Sequence, residues 1–176
     1  MTDRFAHRLR LDQIRDGDRL ELVADEAERA AVATRLALPG IDRFEAHATL
    51  SRAAGELVRA SGRLVAIVEQ SCVVTGEPVP AHIDEHFELV FMPEPRAGGA
   101  DEEIELGEAD CDVIFHDGAT IDLGTAVADT LALSLDPYPR SAGAEGALKE
   151  AGVMTEEQAS PFAALAQLKR GNSDKP

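Results

Sequence analysis

Apolar and polar residues alternate along much of the first half of this chain, the period of two that marks strands with one face in a core. Phe5, Leu9 and Leu11 oppose Arg8 and Arg10, which predicts a strand over residues 5–11. Arg19 to Val23 predicts a second, after the turn Asp16-Gly17-Asp18. From Arg43 to Ser51, Phe44, Ala46, Ala48 and Leu50 oppose Glu45, His47 and Thr49. A further strand spans Leu57 to Val68, with Ser61-Gly62 as a candidate bulge. Its second half, Leu64-Val65-Ala66-Ile67-Val68, is apolar at every position, the pattern of a strand buried on both faces. Next, Val79, Ala81, Ile83, Phe87, Leu89 and Phe91 alternate with His82, Asp84, His86 and Glu88. Cys111 to Phe115 predicts one more short strand, turning at His116-Asp117-Gly118.

Helical spacing interrupts this pattern three times. Asp25 caps a helix through Leu38, in which Ala27, Ala31, Val32 and Leu36 gather on one face before Pro39-Gly40 ends it. Asp122 caps a second, carrying Leu123, Val127, Thr130, Leu131, Ser134 and Leu135, and Pro137-Tyr138-Pro139 stops it. A third signal spans residues 160–171. Ser160 suits the N-cap and Pro161 the first helical position; Lys169 and Arg170 complement the C-terminal dipole, and Gly171 ends the run. Its apolar stripe is Phe162, Leu165, Ala166 and Leu168. A helix of about three turns is marginal alone in water, so it must dock on its own domain or on a partner.

The expected fold is α+β: an antiparallel, barrel-like or open sheet of five or six strands with two or three helices. Residues 1–139 form the domain, 140–159 a small, polar, mobile linker, and 160–171 the terminal amphipathic helix. Pro93 to Ala100 reads as a loop, and Asp101 to Asp110 as an acidic, solvated stretch.

Composition narrows the function classes. The chain has 176 residues and a formal net charge of −16. Residues 1–63 hold 11 of its 17 basic groups and 11 of its 33 acidic ones, so the whole excess lies in residues 64–176. A field of that sign disfavours whole-surface nucleic-acid binding and draws basic proteins to the second part. Arg8 and Arg10, with Arg59 and Arg63 if these lie nearby, are the candidates for direct RNA contact. The aromatic interleaving that single-strand binding uses is missing: there is no Trp and one Tyr, Tyr138. No apolar run approaches the length of a membrane span and the N-terminus carries no h-region, which makes the cytoplasm the expected location. There the two cysteines, Cys72 and Cys111, are expected to be free thiols.

The turn Cys72-Val73-Val74-Thr75-Gly76-Glu77-Pro78 joins two long strands, its backbone set by Gly76 and Pro78. Cys72, His82 and His86 invite a metal or thiol-nucleophile reading. The two histidines, four residues apart on one strand, stand roughly 13 Å apart along it, too far for one ion. Cys72 is the better read as a buried turn residue. No nucleophile elbow is present, and Gly98-Gly99 lacks the Gly-Lys-Ser/Thr ending of a phosphate loop. No catalytic residue, cofactor or metal ligand is expected.

In this order the pieces resemble the YceD family of large ribosomal RNA subunit accumulation proteins. Relatives carry a Cys-x-x-Cys in a strand–turn–strand, where this chain has Cys72 and Thr75 followed by Gly76 and Pro78. They carry Ile-Asp-Leu before a helix that ends near a proline stop, here Ile121-Asp122-Leu123 through Pro137. Their terminal helix resembles Ser160-Pro161-Phe162 through Leu168-Lys169, and the acidic stretch lies between the first two motifs as it does here. The likeness spans residues 64–170. Thr75 replaces the second cysteine, and residues 140–160 lack the second cysteine cluster of many relatives, so a zinc site built from two such pairs is excluded.

The resemblance implies a non-enzymatic factor supporting large ribosomal subunit assembly and 23S rRNA accumulation. Its expected partner is a large-subunit ribosomal protein or a pre-ribosomal particle. Phe162, Leu165, Leu168, Lys169 and Arg170 are the expected partner-binding residues. The alternative is an acidic adaptor that binds some basic protein outside ribosome biogenesis.

Overall fold

The computed structural model describes residues 5–53, 56–94 and 113–153. A five-stranded sheet has the order β2 (Arg19–Val23), β3 (Gly40–Arg52), β4 (Val58–Ser71), β5 (Pro78–Pro93), β6 (Val113–His116). A separate two-stranded ribbon pairs β1 (Arg8–Arg10) with β7 (Thr120–Asp122). The helices are α1 (Glu26–Arg35), α2 (Leu123–Ser134) and α3 (Ala144–Glu150). The fold is α+β, and the sheet stays open, with β2 and β6 at its edges. All its pairings are antiparallel except β5 with β6, which is parallel.

One face of the sheet makes the core. Phe44, Ala46, Ala48 and Leu50 of β3, Val58, Ala60, Leu64, Ala66 and Val68 of β4, and Phe87, Leu89 and Phe91 of β5 are all buried on it. α1 packs on β3, and α2 packs on β5, β4 and β1, so both helices cover this face. Phe5, just before β1, stacks on Phe44 with ring centroids 4.7 Å apart. The opposite face carries Glu45, His47 and Thr49, then Arg59, Ser61 and Arg63, then His82, Asp84, His86 and Glu88, nearly all exposed.

β4 is therefore buried on one face, not two. Val65 is half-buried and Ile67 is 36 % exposed. Among the described residues no second layer packs there: Val65 lies between Glu45 and Asp84, and Ile67 between Arg43 and His82. The candidate bulge at Ser61-Gly62 is also corrected, since register runs unbroken through both residues to β3 and β5. The break lies between Ile41 and Arg43 instead. Gly62 serves close approach. A Cβ there would sit 2.0 Å from the His47 carbonyl oxygen and 2.7 Å from the Phe87 ring, so that ring packs over bare backbone.

α1 starts as its sequence predicts. The Glu28 N–H donates to Asp25 Oδ1 (2.8 Å) and the Asp25 N–H to Glu28 Oε2 (2.9 Å), a reciprocal capping box. It ends earlier than Leu38. Ala37 takes φ +53°, and the Leu38 N–H reaches back to the Ala33 carbonyl (2.9 Å) while the Ala37 N–H reaches Thr34 (3.3 Å). That is a Schellman ending with alanine where glycine is usual. α3 stands in the stretch that the sequence reads as linker, with Ala144 buried. Cys111, residues 101–110 and the predicted helix over 160–171 lie outside the described residues.

Candidate functional site

β4 and β5 run far past their neighbours and end in the cysteine turn. The Cys72 N–H donates to the Glu77 carbonyl (2.8 Å) and the Gly76 N–H to the Cys72 carbonyl (2.9 Å). Gly76 has φ +72°, a conformation that side chains disfavour. Pro78 and Pro80 open β5 without N–H groups. They are tolerated because β6 pairs only with residues 90–93, leaving this end of β5 without a partner on its outer side among the described residues.

The turn is stitched to the segment that follows α2. Cys72 is 3 % exposed, and its Sγ accepts from the Ser141 N–H (3.2 Å) and the Thr75 N–H (3.4 Å). Glu77 Oε2 accepts from the Ser141 hydroxyl (2.7 Å) and the Thr75 hydroxyl (3.0 Å). The Val73 N–H donates to the Pro139 carbonyl (2.9 Å). Beneath them the buried Gln70 donates to the Asp136 carbonyl (2.9 Å). The N–H of Ser141, then the groups of Thr75, hold the Cys72 thiol down to about 6, so it is largely thiolate at neutral pH. The Ser141 hydroxyl, then Thr75, also lowers the Glu77 carboxyl below its usual value.

Structural zinc takes four ligands, mostly Cys and His. Here one thiolate meets two hydroxyls and one carboxylate, and the hydroxyls are engaged with Glu77. This donor set does not fit zinc. The hydrogen bonds themselves join the two chain segments.

Asp122 is a second junction. Its Oδ1 accepts from the Thr125 N–H (3.1 Å), capping α2 as predicted, and from the His7 N–H (3.1 Å). Arg8 lies 3.7 Å from its other oxygen. One carboxylate therefore joins the β1–β7 ribbon to the start of α2.

The structure does not bring the four candidate arginines together. Arg8 and Arg10 stand on the ribbon, beside Asp122 and Asp12, while Arg59 and Arg63 stand on the open face of the large sheet. Arg63 makes a two-pronged contact with Asp84 and holds that carboxyl below its usual value. A groove of about 680 Å3 crosses this face, lined among others by Arg19, His47, Arg63 and His86. His82 is exposed on the same face. Among the described residues no three His, Cys, Asp or Glu side chains gather as metal ligands.

Sequence reasoning missed Gln70, Ser141 and His116. His116 is 5 % exposed, accepts at Nδ1 from the Gly118 N–H (3.0 Å), and meets the Glu56 carbonyl at Nε2 (3.1 Å). These contacts place its proton on Nε2 and make it a satisfied core histidine. No periodicity marks such residues, because each pairs with a group distant in sequence. Phe162, Leu165, Leu168, Lys169 and Arg170 lie outside the described residues.

The half-covered sheet and the hydrogen-bonded turn define a small, acidic α+β protein whose cysteine holds chain to chain. No buried side-chain polar atom among the described residues lacks a partner. A family model of the large ribosomal RNA subunit accumulation protein YceD matches residues 60–169, which include most of β4, the cysteine turn, β5, β6, β7, α2 and α3. The match covers more than half of the chain, and the chain belongs to the YceD family. Membership implies a role in the accumulation of large-subunit ribosomal RNA, and the family has no known catalytic activity. No curated protein and no solved structure matches the chain. No helix among the described residues is long and apolar enough to cross a membrane.

Proposed function

We propose that this protein supports large-subunit assembly in the cytoplasm by docking, with no bond made or broken. Its partner is a basic large-subunit ribosomal protein or the basic surface of a precursor particle. The observation that carries the reading is the charge asymmetry: the whole excess of −16 lies in residues 64–176. Of the acidic residues described beyond residue 63, all are exposed except the half-buried Asp122. They are therefore available to speed encounter with a cationic surface, in a manner that salt screens. Segment 160–171 then anchors through Phe162, Leu165 and Leu168, with Lys169 and Arg170 beside them.

Capture from lysate at low salt tests the proposal. Large-subunit precursors and ribosomal proteins should be retained on the full chain, released by moderate salt, and lost when residues 160–176 are removed. A bound fraction free of both would sink it.

A further inference from the structure

A groove opens where the C-terminal ends of α1 and α2 meet the end of β4. Its volume is about 480 Å3, and Leu36, Leu38, Leu133, Leu135, Pro137 and Pro139 line it. Leu133 is 82 % exposed at its rim. Single exposed leucines are ordinary, but a contiguous apolar groove calls for an occupant.

Position, size and charge identify one. The described chain ends at Val153, just past α3, and the segment leading into α3 is fastened beside this groove. Pro139 lines the groove and accepts from Val73, and Ser141 is tied to Cys72. α3 has seven residues and spans only about 10 Å. The residues from Val153 to Phe162 reach up to about 30 Å when extended, so the stripe Phe162, Leu165 and Leu168 arrives with chain to spare. Three large side chains suit a groove of this volume. The last turn of α2 carries no basic residue, and Asp136 also borders the groove. Lys169 and Arg170 supply the cations that a helix C-terminus and a carboxylate favour.

We propose that in the free protein this groove seats the chain's own segment 160–171, with Phe162, Leu165 and Leu168 laid against it. A short tether holds the segment at about millimolar effective concentration, so a contact of only ~100 µM intrinsic affinity is made about ten times out of eleven. The inference shares with the proposed function only the use of this apolar stripe. If both hold, home and partner contacts exclude each other, and an incoming ribosomal surface must displace the segment.

Hydrogen exchange on the isolated full-length chain tests the seat without any ribosomal component, so its failure is distinct from failure of the capture experiment. Leu133→Asp changes a side chain that projects from the fold and should leave the domain folded, its melting temperature lowered only by the few degrees that loss of a tenfold-favoured seat costs. Amides of residues 160–171 should exchange at least ~10-fold more slowly in the parent than in Leu133→Asp, and Leu165→Asp should show the same loss of protection. Equal exchange in parent and variants overturns the seat. So does protection that grows with protein concentration, which would assign the groove to a second copy.

Discussion

The two faces of the five-stranded sheet share their strands, their register and their backbone hydrogen bonds, yet they differ in everything the side chains do. On the covered face Leu64 and Ala66 are fully buried, while their immediate neighbours along the same strand, Arg63 and Ile67, meet solvent. Burial here is set by the layer placed on top, not by the apolar character of the strand. α1 and α2 cap one face; among the described residues nothing caps the other. A run such as Leu64 to Val68 is compatible with either outcome, because alternation is visible only when the outer residues are polar.

The sharpest way to break this comparison is to remove a buried side chain from the covered face. Leu64→Ala should cost about 2–5 kcal/mol in urea unfolding, as a cavity forms under the helices. A loss below about 1 kcal/mol would mean that the layer packs loosely. Next comes Gly62→Ala, which places a methyl group into the His47 carbonyl and the Phe87 ring. It should cost about 1–3 kcal/mol, although replacing a strand glycine by alanine is otherwise favourable.

The cysteine turn asks whether partners can replace a covering layer at the end of the sheet. The folded Cys72 thiol is lowered to about 6, below its unfolded value of about 8.5. The unfolded chain thus binds more protons through neutral pH. The thiolate contribution is present in full above about pH 8.5, shrinks as pH falls, and is gone below about 6. Melting temperatures of parent and Cys72→Ala should diverge most at alkaline pH and converge towards acid. A gap independent of pH would assign Cys72 a packing role alone.

Ala37→Gly probes the helix layer, since only its left-handed backbone is relieved. It should stabilise the protein by about 0.4–1 kcal/mol, read as a raised urea midpoint at unchanged slope. The smallest effect belongs to the open face. Arg63→Ala removes an exposed pairing with Asp84 and should cost no more than about 1 kcal/mol, less at high salt. A larger, salt-insensitive loss would mean that this face is covered after all.

Local chemistry made much of this legible. Asp25 and Asp122 cap their helices because a short side chain before an apolar, helical spacing needs no distant partner to act. The alternation over Phe44 to Leu50 and over Phe87 to Phe91 identified the buried face of both strands. The charge asymmetry is likewise a property of the chain itself. The candidate site was half legible: the turn at Cys72 stands out, but Ser141, which donates to its sulfur, lies 69 residues away and looks like any linker serine.

Period and capping are properties of neighbouring residues, so the chain alone determined the caps of α1 and α2 and which side of β3 and β5 is apolar. Which face of β4 would be covered, that β6 would join in parallel, and that residues 136–141 would seat the cysteine turn were decided only in three dimensions. Each depends on a partner brought from far along the chain, and packing and hydrogen-bond satisfaction choose that partner without leaving a periodic trace.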